Sequence, residues 1–492
     1  MAEPGALTLM RELAGLALAA TSVLSWCARQ FLPAWLIGGS SSPHSHGTSR
    51  WANVWERRLL GRRGRVERMH GDGLVLGWLG GHPLQSSAED NVLLLGVQRS
   101  GKTSTVVVPS LLSWTGALVA TSTKEELVAL TAHLRQRRGP VWVFSPLDPD
   151  HSWIARLGLQ PAGWNPVAAA ETCGIAAELA DHFCAAGKGG ASAHWYLSAA
   201  NLLTGLLVAE QERGGDMRSV LSRLNRTAVP GYVGLSAVAR DATASELLHA
   251  FALTPKEEAG SIASTARSCL SLWMDDRIAR ATAASSSQLD LDELLESGGS
   301  LYLVAPAEDA ERCRPLFSAL LQTLLRKATS RARAQGGVLN PRLLLALDEA
   351  ANFARVPRLA GYASSGPGQG IQFLLCFHDL AQIEAGYGQE EARTIWNNCR
   401  ARLLLPGQGD LRTLEQFSRA IGDETRIYQS QSEGERYSRR SEQRTGRPLT
   451  SIDELRRLRS AVLLYANAPP AQLQMRRWDQ VRAWRQQVLN RP

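Results

Sequence analysis

Residues 96–103 read GVQRSGKT and match the spacing G-x-x-x-x-G-K-[ST], which is carried by Gly96, Gly101, Lys102 and Thr103. Glycine allows successive backbone N–H groups to curl around an anion, and a helix that begins at such a loop adds its positive end. The apolar run at 91–95 has the length of a strand, and a helical stretch follows the loop. The sequence therefore predicts a phosphate-binding loop between a strand and a helix.

The side chains of this loop have predicted roles at a magnesium-bound nucleoside triphosphate. The Lys102 ammonium would contact the β- and γ-phosphates, and the Thr103 hydroxyl would bind Mg²⁺. The predicted nucleotide-binding residues form one continuous run: Gly96, Val97, Gln98, Arg99, Ser100, Gly101, Lys102, Thr103 and Ser104.

A phosphate-binding loop needs an acidic partner, and the segment LLLALDEA at 343–350 supplies one. Its apolar residues predict a buried strand, and Asp348 and Glu349 follow at the end of that strand. Strand ends in parallel sheets face the ligand crevice. Asp348 is therefore predicted to hold Mg²⁺ together with Thr103, and Glu349 to orient or deprotonate the attacking water.

His378 ends another predicted strand, in the segment QFLLCFHD at 372–379. A polar residue at that place can contact the γ-phosphate or its water and report hydrolysis to the rest of the domain. The alternative is a histidine that only satisfies backbone groups at a strand end. With His378 included, the predicted catalytic set is Lys102, Asp348, Glu349 and His378.

Composition sets broad limits on the protein class. The chain has 492 residues, 44% hydrophobic and 20% charged, which indicates a globular protein of more than one domain. The net charge of +8 mildly favours acidic partners such as nucleic acid or anionic lipid. Seven scattered cysteines without a C-x-x-C pair predict neither a disulfide framework nor a zinc site.

Strand-like runs alternate with helical stretches on both sides of a long segment rich in Ala, Leu, Glu, Arg and Ser that reads as helical throughout. This order predicts an α/β fold with a mostly parallel sheet, interrupted by an all-α domain. A polar stretch at 428–447 is predicted to be a loop or hairpin. The predicted divisions are an apolar segment and linker at 1–49, a first part of the nucleotide-binding domain at 50–165, the all-α domain at 166–296, and a second part with a C-terminal extension at 297–492.

The N-terminus is ambiguous. Residues 13–27 carry no charge but fall short of the ~20 residues of a spanning helix. Reading on to 37 includes Arg29, Gln30 and Pro33. The sequence is compatible with a tilted helix or a membrane-surface anchor, and the basic cluster at 50–68 would hold that side in the cytoplasm.

Several further motifs carry a resemblance to a known family. The chain resembles the type IV coupling proteins of the TraG/TraD/TrwB kind, the membrane-linked ATPases of conjugation and type IV secretion. The most specific part is LDEAANFARVPRL with GQGIQ and DLAQI, and the likeness covers nearly everything after residue 49. The matching motifs are SRWA, NVLLLGVQRSGKT, LVATSTKEEL, WNP, GSLYLVAP, LDEAANFARVPRL, GQGIQFLLCFHDLAQIEAGYG, TIWNNCRARLLLPGQGD, PLTSIDELRRL and VLLYANAPPAQLQMRRW.

The resemblance implies a RecA-like motor domain that uses ATP and Mg²⁺ and is interrupted by an all-α domain. It implies homo-hexameric rings around DNA, with nucleotide at the subunit interfaces. It also implies that relaxase-bound single-stranded DNA is delivered to the proteins of a secretion channel, at the cytoplasmic face of the cell membrane.

Three features depart from the family pattern. The family usually has Gln where this chain has His378, and it often has an arginine finger in the loop where this chain has Pro367. The N-terminus has at most one poor membrane segment where the family has two, so a truncated start or a soluble variant is an alternative. Any arginine that acts on a neighbouring subunit must come from elsewhere, the candidates being Arg355, Arg358, Arg400 and Arg402.

Two other functions remain open from the sequence. One is an FtsK-like translocase, which would use the same motor on double-stranded DNA. The other is a docking receptor that binds secretion substrates while hydrolysing little or no ATP.

Overall fold

A computed structural model describes residues 47–60, 62–63, 71, 73–148, 151–185, 193–226, 231–286, 288–353, 355–434 and 437–489. The predicted membrane-associated segment at 13–37 lies outside the described residues. Among the residues that are described, no helix has the length and apolar character needed to cross a bilayer.

The strands are numbered along the chain. They are β1 Arg62–Arg63, β2 Val75–Leu79, β3 His82–Gln85, β4 Val92–Leu95, β5 Ala117–Ser122, β6 Val141–Phe144, β7 Ser300–Val304, β8 Leu343–Leu347, β9 Ile371–Phe377, β10 Ala401–Leu404, β11 Asp423–Gly434, β12 Tyr437–Pro448, β13 Ala461–Tyr465 and β14 Ala471–Leu473.

The main sheet has nine strands in the order β14-β13-β10-β4-β9-β8-β5-β7-β6. The strands from β10 to β6 are parallel to their neighbours. At the opposite edge, β13 and β14 pair antiparallel. The predicted α/β class with a mostly parallel sheet is confirmed. The carboxyl ends of β4, β9 and β8 lie side by side, and this order positions the candidate site.

Both faces of the main sheet are covered, which explains why its strands read as nearly continuous apolar runs. In β4, Leu93 and Leu95 join the core that contains Phe317 of the long helix Ala307–Ala334. Val92 and Leu94 point to the other face and join the core that contains Leu127. The strand before the loop is therefore fixed by packing on both sides.

A separate three-stranded sheet has the order β1-β3-β2. Gly80 and Gly81 join β2 to β3 with φ of 57° and 78°. Two consecutive residues with positive φ form the tight turn that suits a two-residue hairpin, and glycine adopts this conformation without a steric cost.

Helices connect and cover the strands. Between β6 and β7 the described residues form helices and no strand, and this region includes the helix Ala193–Gln211, which packs into the same core as the sheet. The division of 166–296 into a separate domain stays a prediction. The helices are Val54–Arg58, Thr103–Val107, Val108–Ser113, Glu126–Gln136, Ser152–Arg156, Cys173–Phe183, Ala193–Gln211, Met217–Arg226, Gly231–Val238, Ala242–Ala252, Lys256–Cys269, Ser271–Met274, Asp276–Ala281, Leu291–Ser297, Ala307–Ala334, Ala350–Phe353, Leu359–Ser365, Pro367–Gln369, Leu380–Tyr387, Gln389–Asn398, Leu411–Ile421, Ile452–Arg457, Trp478–Gln480 and Arg482–Leu489.

The chain forms two compact units. The smaller unit contains residues 423–447, in which β11 and β12 pair as a two-stranded sheet. The stretch at 428–447 is thus a hairpin, one of the two predicted forms. The larger unit contains residues 49–422 and 448–492 and holds every residue of the candidate site.

Arg135 is a fully buried cation that ties the helix Glu126–Gln136 to the amino ends of β5 and β7. Its guanidinium donates to the carbonyls of Trp114 and Gly116 at 2.6 Å, to that of Gly298 at 3.2 Å and to the Ser300 hydroxyl at 2.7 Å. Burial lowers the pKa of Arg135 to about 10. Since this value is still far above neutrality, the group remains charged and can donate to all four acceptors.

Replacing Arg135 with alanine should destabilise the larger unit by about 3 kcal/mol, because it leaves a cavity and buried carbonyl groups without donors. The free energy of unfolding from urea titration measures this effect. The exposed neighbour Arg137 is the matched control, and its alanine variant should change stability by less than about 0.5 kcal/mol. Equal effects of the two substitutions would contradict the proposed importance of the Arg135 contacts.

Candidate active site

The loop after β4 has the backbone shape that the sequence predicts for it. Gly101 has φ of 91°, and Arg99 also lies in the left-handed region at 65°. A Cβ atom on Gly96 would lie 2.6 Å from the Ser100 hydroxyl and 3.0 Å from Leu405 Cβ, too close for any larger residue. The helix that begins at Thr103 follows directly. Position 96 therefore requires glycine because of close contacts, and position 101 favours glycine because of its positive φ.

Lys102 is almost fully buried, and its ammonium lies inside the loop. The Nζ atom donates to the Gly96 carbonyl at 2.5 Å and to the Val97 carbonyl at 3.3 Å. It also lies 3.4 Å from His378 Nδ1. Because an ammonium can only donate, a hydrogen bond between these two atoms requires Nδ1 to be the acceptor.

Asp348 lies at the carboxyl end of β8, beside the loop. The Thr103 hydroxyl donates to Asp348 Oδ2 at 2.6 Å, across 245 positions of sequence. The Thr121 hydroxyl donates to the Asp348 main-chain carbonyl at 2.9 Å, which fixes the residue to the end of β5. Burial raises the pKa of the Asp348 carboxyl, while the Thr103 hydrogen bond and the Lys102 charge oppose that shift.

Glu349 follows Asp348 with φ of 54°. This left-handed conformation is unfavourable for a residue with a Cβ and is usually kept where a side chain must point in a particular direction. Glu349 is half-buried, and its main-chain carbonyl accepts from the Phe353 N–H at 3.1 Å, which starts a short helix. The chain therefore leaves β8 through a left-handed turn at Glu349 and enters the short helix Ala350–Phe353.

The predicted site residues differ in how closely they come together. Lys102, Thr103, Asp348 and His378 are joined by direct contacts. Gln98 and Arg99 are exposed at the tip of the loop, and the Ser104 hydroxyl donates to the Gly101 carbonyl at 3.3 Å.

Three of the four candidate arginines have contacts with residues outside the loop of the same chain. Arg400 precedes β10, at the amino ends of the parallel strands, and pairs with the buried Asp90 at 3.3 Å. Arg402 stacks on Trp396 at 5.1 Å. Arg355 lies 5.3 Å from the Tyr387 ring centre, and Arg358 has a left-handed backbone. None of these contacts identifies an arginine that would act on a neighbouring subunit.

The oxygen atoms at this edge of the sheet suit a hard divalent cation. Asp348 Oδ1 is buried and has no hydrogen-bond partner among the described residues, and the same holds for the Ser100 hydroxyl. Mg²⁺ prefers oxygen ligands such as carboxylates and hydroxyls. The Thr103 hydroxyl and the Asp348 carboxylate could therefore hold Mg²⁺ together.

The sequence did not predict three polar residues whose side chains hold main-chain groups of the site. They are Thr121, which binds Asp348, and Gln382 and Gln408, which bind His378. Thr121 is the second-to-last residue of β5, and Gln408 follows β10 in the segment LPGQGD. A polar residue just beyond a buried strand was the available signal. It was insufficient because the sequence does not reveal which strands are neighbours of β4.

Comparisons with known proteins agree with one another. The chain is 28% identical over 478 residues to Conjugal transfer protein TraG from Escherichia coli, covering 85% of this chain and 72% of the relative. It is 26% identical over 457 residues to Protein VirD4 from Rhizobium rhizogenes, covering 88% of this chain and 65% of the relative.

Solved structures with the same fold include the unbound monoclinic form of the bacterial conjugative coupling protein TrwBdeltaN70. It has a TM-score of 0.64 and 18% identity, covering 89% of this chain and 94% of that one. The plasmid coupling protein TrwB in complex with ADP and Mg²⁺ has a TM-score of 0.62 and 17% identity, covering 89% and 97%.

The sequence model of the family described as Type IV secretory system Conjugative DNA transfer matches residues 48–478. This match includes the whole candidate site and most of the chain. The chain therefore belongs to the type IV secretory system conjugative DNA transfer family, whose members include the coupling proteins of conjugation.

Proposed function

We propose that this chain is an ATP-hydrolysing coupling protein that moves single-stranded DNA, or a relaxase–DNA complex, to a type IV secretion channel. The observation that carries the proposal is the 2.6 Å hydrogen bond from Thr103 to Asp348, which joins the loop to the carboxylate predicted to bind its metal. The TrwB structures that contain ADP with Mg²⁺ or an ATP analogue support nucleotide binding at the same fold.

Each residue would act through a group that is already in place. Lys102 would exchange its contacts with the loop carbonyls for phosphate oxygens, which are stronger acceptors because they are charged. Thr103 and Asp348 would hold Mg²⁺, which supplies positive charge to the phosphate oxygens. Glu349 would orient or deprotonate water, and the Nε2–H of His378 would donate to a phosphate oxygen or to that water.

The DNA strand would be bound mainly through its phosphates. The chain carries a net charge of +8, and binding that depends on phosphate contacts is sensitive to salt and tolerant of sequence. A homo-hexameric ring, attached at the cytoplasmic face of the membrane, would let each hydrolysis step act on a strand in its centre. The ring and the membrane attachment are parts of the proposal.

Steady-state ATP hydrolysis tests this function when it is measured against protein concentration, with single-stranded DNA, with double-stranded DNA of equal length, and without DNA. We expect the specific activity to rise cooperatively with protein concentration, because a ring places sites between subunits. We also expect single-stranded DNA to stimulate hydrolysis more than double-stranded DNA does.

Two other outcomes would favour the alternative functions. Stronger stimulation by double-stranded DNA would favour an FtsK-like translocase. Nucleotide binding without turnover under every condition would favour a docking receptor for secretion substrates. Such a receptor would be consistent with Pro367, which stands where the family often has an arginine.

A further inference from the structure

Gln408 reaches across the strand that leads into the phosphate-binding loop. In the sheet, β4 lies between β9 and β10, so His378 and Gln408 follow the strands on either side of it. Gln408 is almost fully buried, and its Nε2 donates to the His378 main-chain carbonyl at 2.8 Å. The bond therefore links the two segments that flank the start of the loop.

The orientation of the Gln408 carboxamide is fixed by its other atom. Oε1 accepts from the main-chain N–H groups of Gly409 at 2.9 Å and Asp410 at 3.1 Å. A flipped amide would place its NH₂ against two N–H donors and its oxygen against the His378 carbonyl. The hydrogen-bond network thus assigns Gln408 as the donor to His378.

A second glutamine holds the other main-chain group of the same residue. The His378 N–H donates to Gln382 Oε1 at 2.8 Å. The main-chain N–H of Gln382 is bound in turn by the Asp379 carboxylate at 2.8 Å, which caps the helix Leu380–Tyr387. Both polar main-chain groups of His378 are therefore held by glutamine side chains just beyond the end of β9.

These two bonds constrain the backbone from which the imidazole projects. The ring contacts Lys102 at 3.4 Å, a distance that a small rotation of the His378 backbone would change. The loop side is also constrained, because the Gly96 N–H donates to the carbonyl of Phe377 at 3.1 Å. A misplacement of about 1 Å in a catalytic group can cost about 100-fold in rate.

We propose that Gln408 and Gln382 are positioning residues for His378, with opposite requirements: Gln408 must donate a hydrogen bond and Gln382 must accept one. The inference rests on the proposed function, in which His378 contacts the phosphate or its water. It adds two residues, each with a defined hydrogen-bonding role, that hold the imidazole against Lys102.

The same substitution at the two positions separates these roles. Gln408→Glu keeps the oxygen that accepts from Gly409 and Asp410 but cannot donate to His378. Gln382→Glu keeps the acceptor for the His378 N–H. We expect Gln408→Glu to lower kcat for ATP about 10- to 100-fold, with KM and nucleotide Kd within about twofold. Gln382→Glu should keep kcat within about threefold, and Gln382→Ala should lower it.

Gln416 provides the matched control, since it is an exposed glutamine on the helix Leu411–Ile421. Gln416→Ala should leave kcat, KM and the thermal midpoint unchanged. A purely structural role for Gln408 would lower nucleotide affinity and thermal stability along with kcat. That outcome, or equal effects of Gln408→Glu and Gln382→Glu, would overturn the proposal.

A measurement without turnover separates this inference from the proposed function. In the nucleotide-free protein labelled with ¹³C-histidine, the His378 ring signal is assigned from its loss in His378→Asn. The signal should move in Gln408→Glu and Gln382→Ala, and stay in place in Gln382→Glu and Gln416→Ala. If the wild-type protein hydrolyses no ATP but these shifts occur, the positioning role stands and the function fails. If the signal does not move in Gln408→Glu and Gln382→Ala, the positioning role is overturned whether or not ATP is hydrolysed. If Gln408→Glu does not fold, the signal in Gln382→Ala alone decides whether the positioning role stands.

Discussion

Lys102→Ala should abolish ATP hydrolysis to below about 1% of the wild-type rate and weaken nucleotide binding about 100-fold or more. The ammonium is the only side-chain cation that contacts the loop carbonyls among the described residues, so its removal takes the positive charge from the centre of the site. Nucleotide Kd from fluorescence titration and the rate of phosphate release measure the two effects.

The fold should survive the Lys102 substitution, because the loop keeps both of its glycines and both flanking elements. Lys124→Ala is the matched control, since Lys124 is an exposed lysine that follows β5 at the same edge of the sheet. It should leave basal hydrolysis unchanged. A Lys102→Ala protein that still supported DNA transfer would instead favour the docking receptor.

Asp348→Asn should eliminate hydrolysis and yet stabilise the metal-free protein at neutral pH. Burial raises the pKa of Asp348. A carboxyl whose pKa is raised by folding contributes its stability below the unfolded pKa of about 4, and loses it as pH rises through the folded value. The ionised side chain therefore costs stability at pH 7, and the neutral asparagine avoids that cost.

Thermal unfolding in the presence of EDTA between pH 4 and pH 8 tests whether Asp348→Asn raises or lowers the stability of the metal-free protein. The variant should have the higher midpoint near pH 7, and the difference should shrink toward pH 4. Asp275→Asn is a control of opposite sign, because the Arg277 hydrogen bond lowers the pKa of Asp275. That variant should be less stable than the wild type across the whole range from pH 4 to pH 8, because the contribution of Asp275 is lost only below its unfolded pKa of about 4. A lower midpoint for Asp348→Asn at pH 7 would show that burial does not penalise its charge.

The parts of the fold that follow from local pattern were predictable. The strands beside the loop read as apolar runs because they are buried on both faces. The two glycines of the motif reflect close contacts at Gly96 and a positive φ at Gly101. The position of Asp348 beside the loop could be predicted because an acidic residue directly follows a buried strand. In each of these examples, the sequence signal and its structural cause lie within a few residues of each other.

The parts that depend on strand order were not predictable in the same way. Gln408 meets His378 only because β10 and β9 lie on either side of β4, an order that no local pattern encodes. Arg135 meets Gly116 and Gly298 because β5 and β7 are neighbours although 183 positions separate their first residues. Such contacts are set by chain topology, and the presence of a glutamine or an arginine in the sequence does not indicate which residue it will contact.

The left-handed backbone at Glu349 has a consequence for how this site can change over time. Glycine would occupy that conformation more readily, by about 1 kcal/mol, but would remove the carboxylate. If Glu349 acts on the attacking water as proposed, selection for stability and selection for turnover act in opposite directions at this one position. On that proposal, a related chain that no longer needed hydrolysis could replace the glutamate with glycine and gain stability.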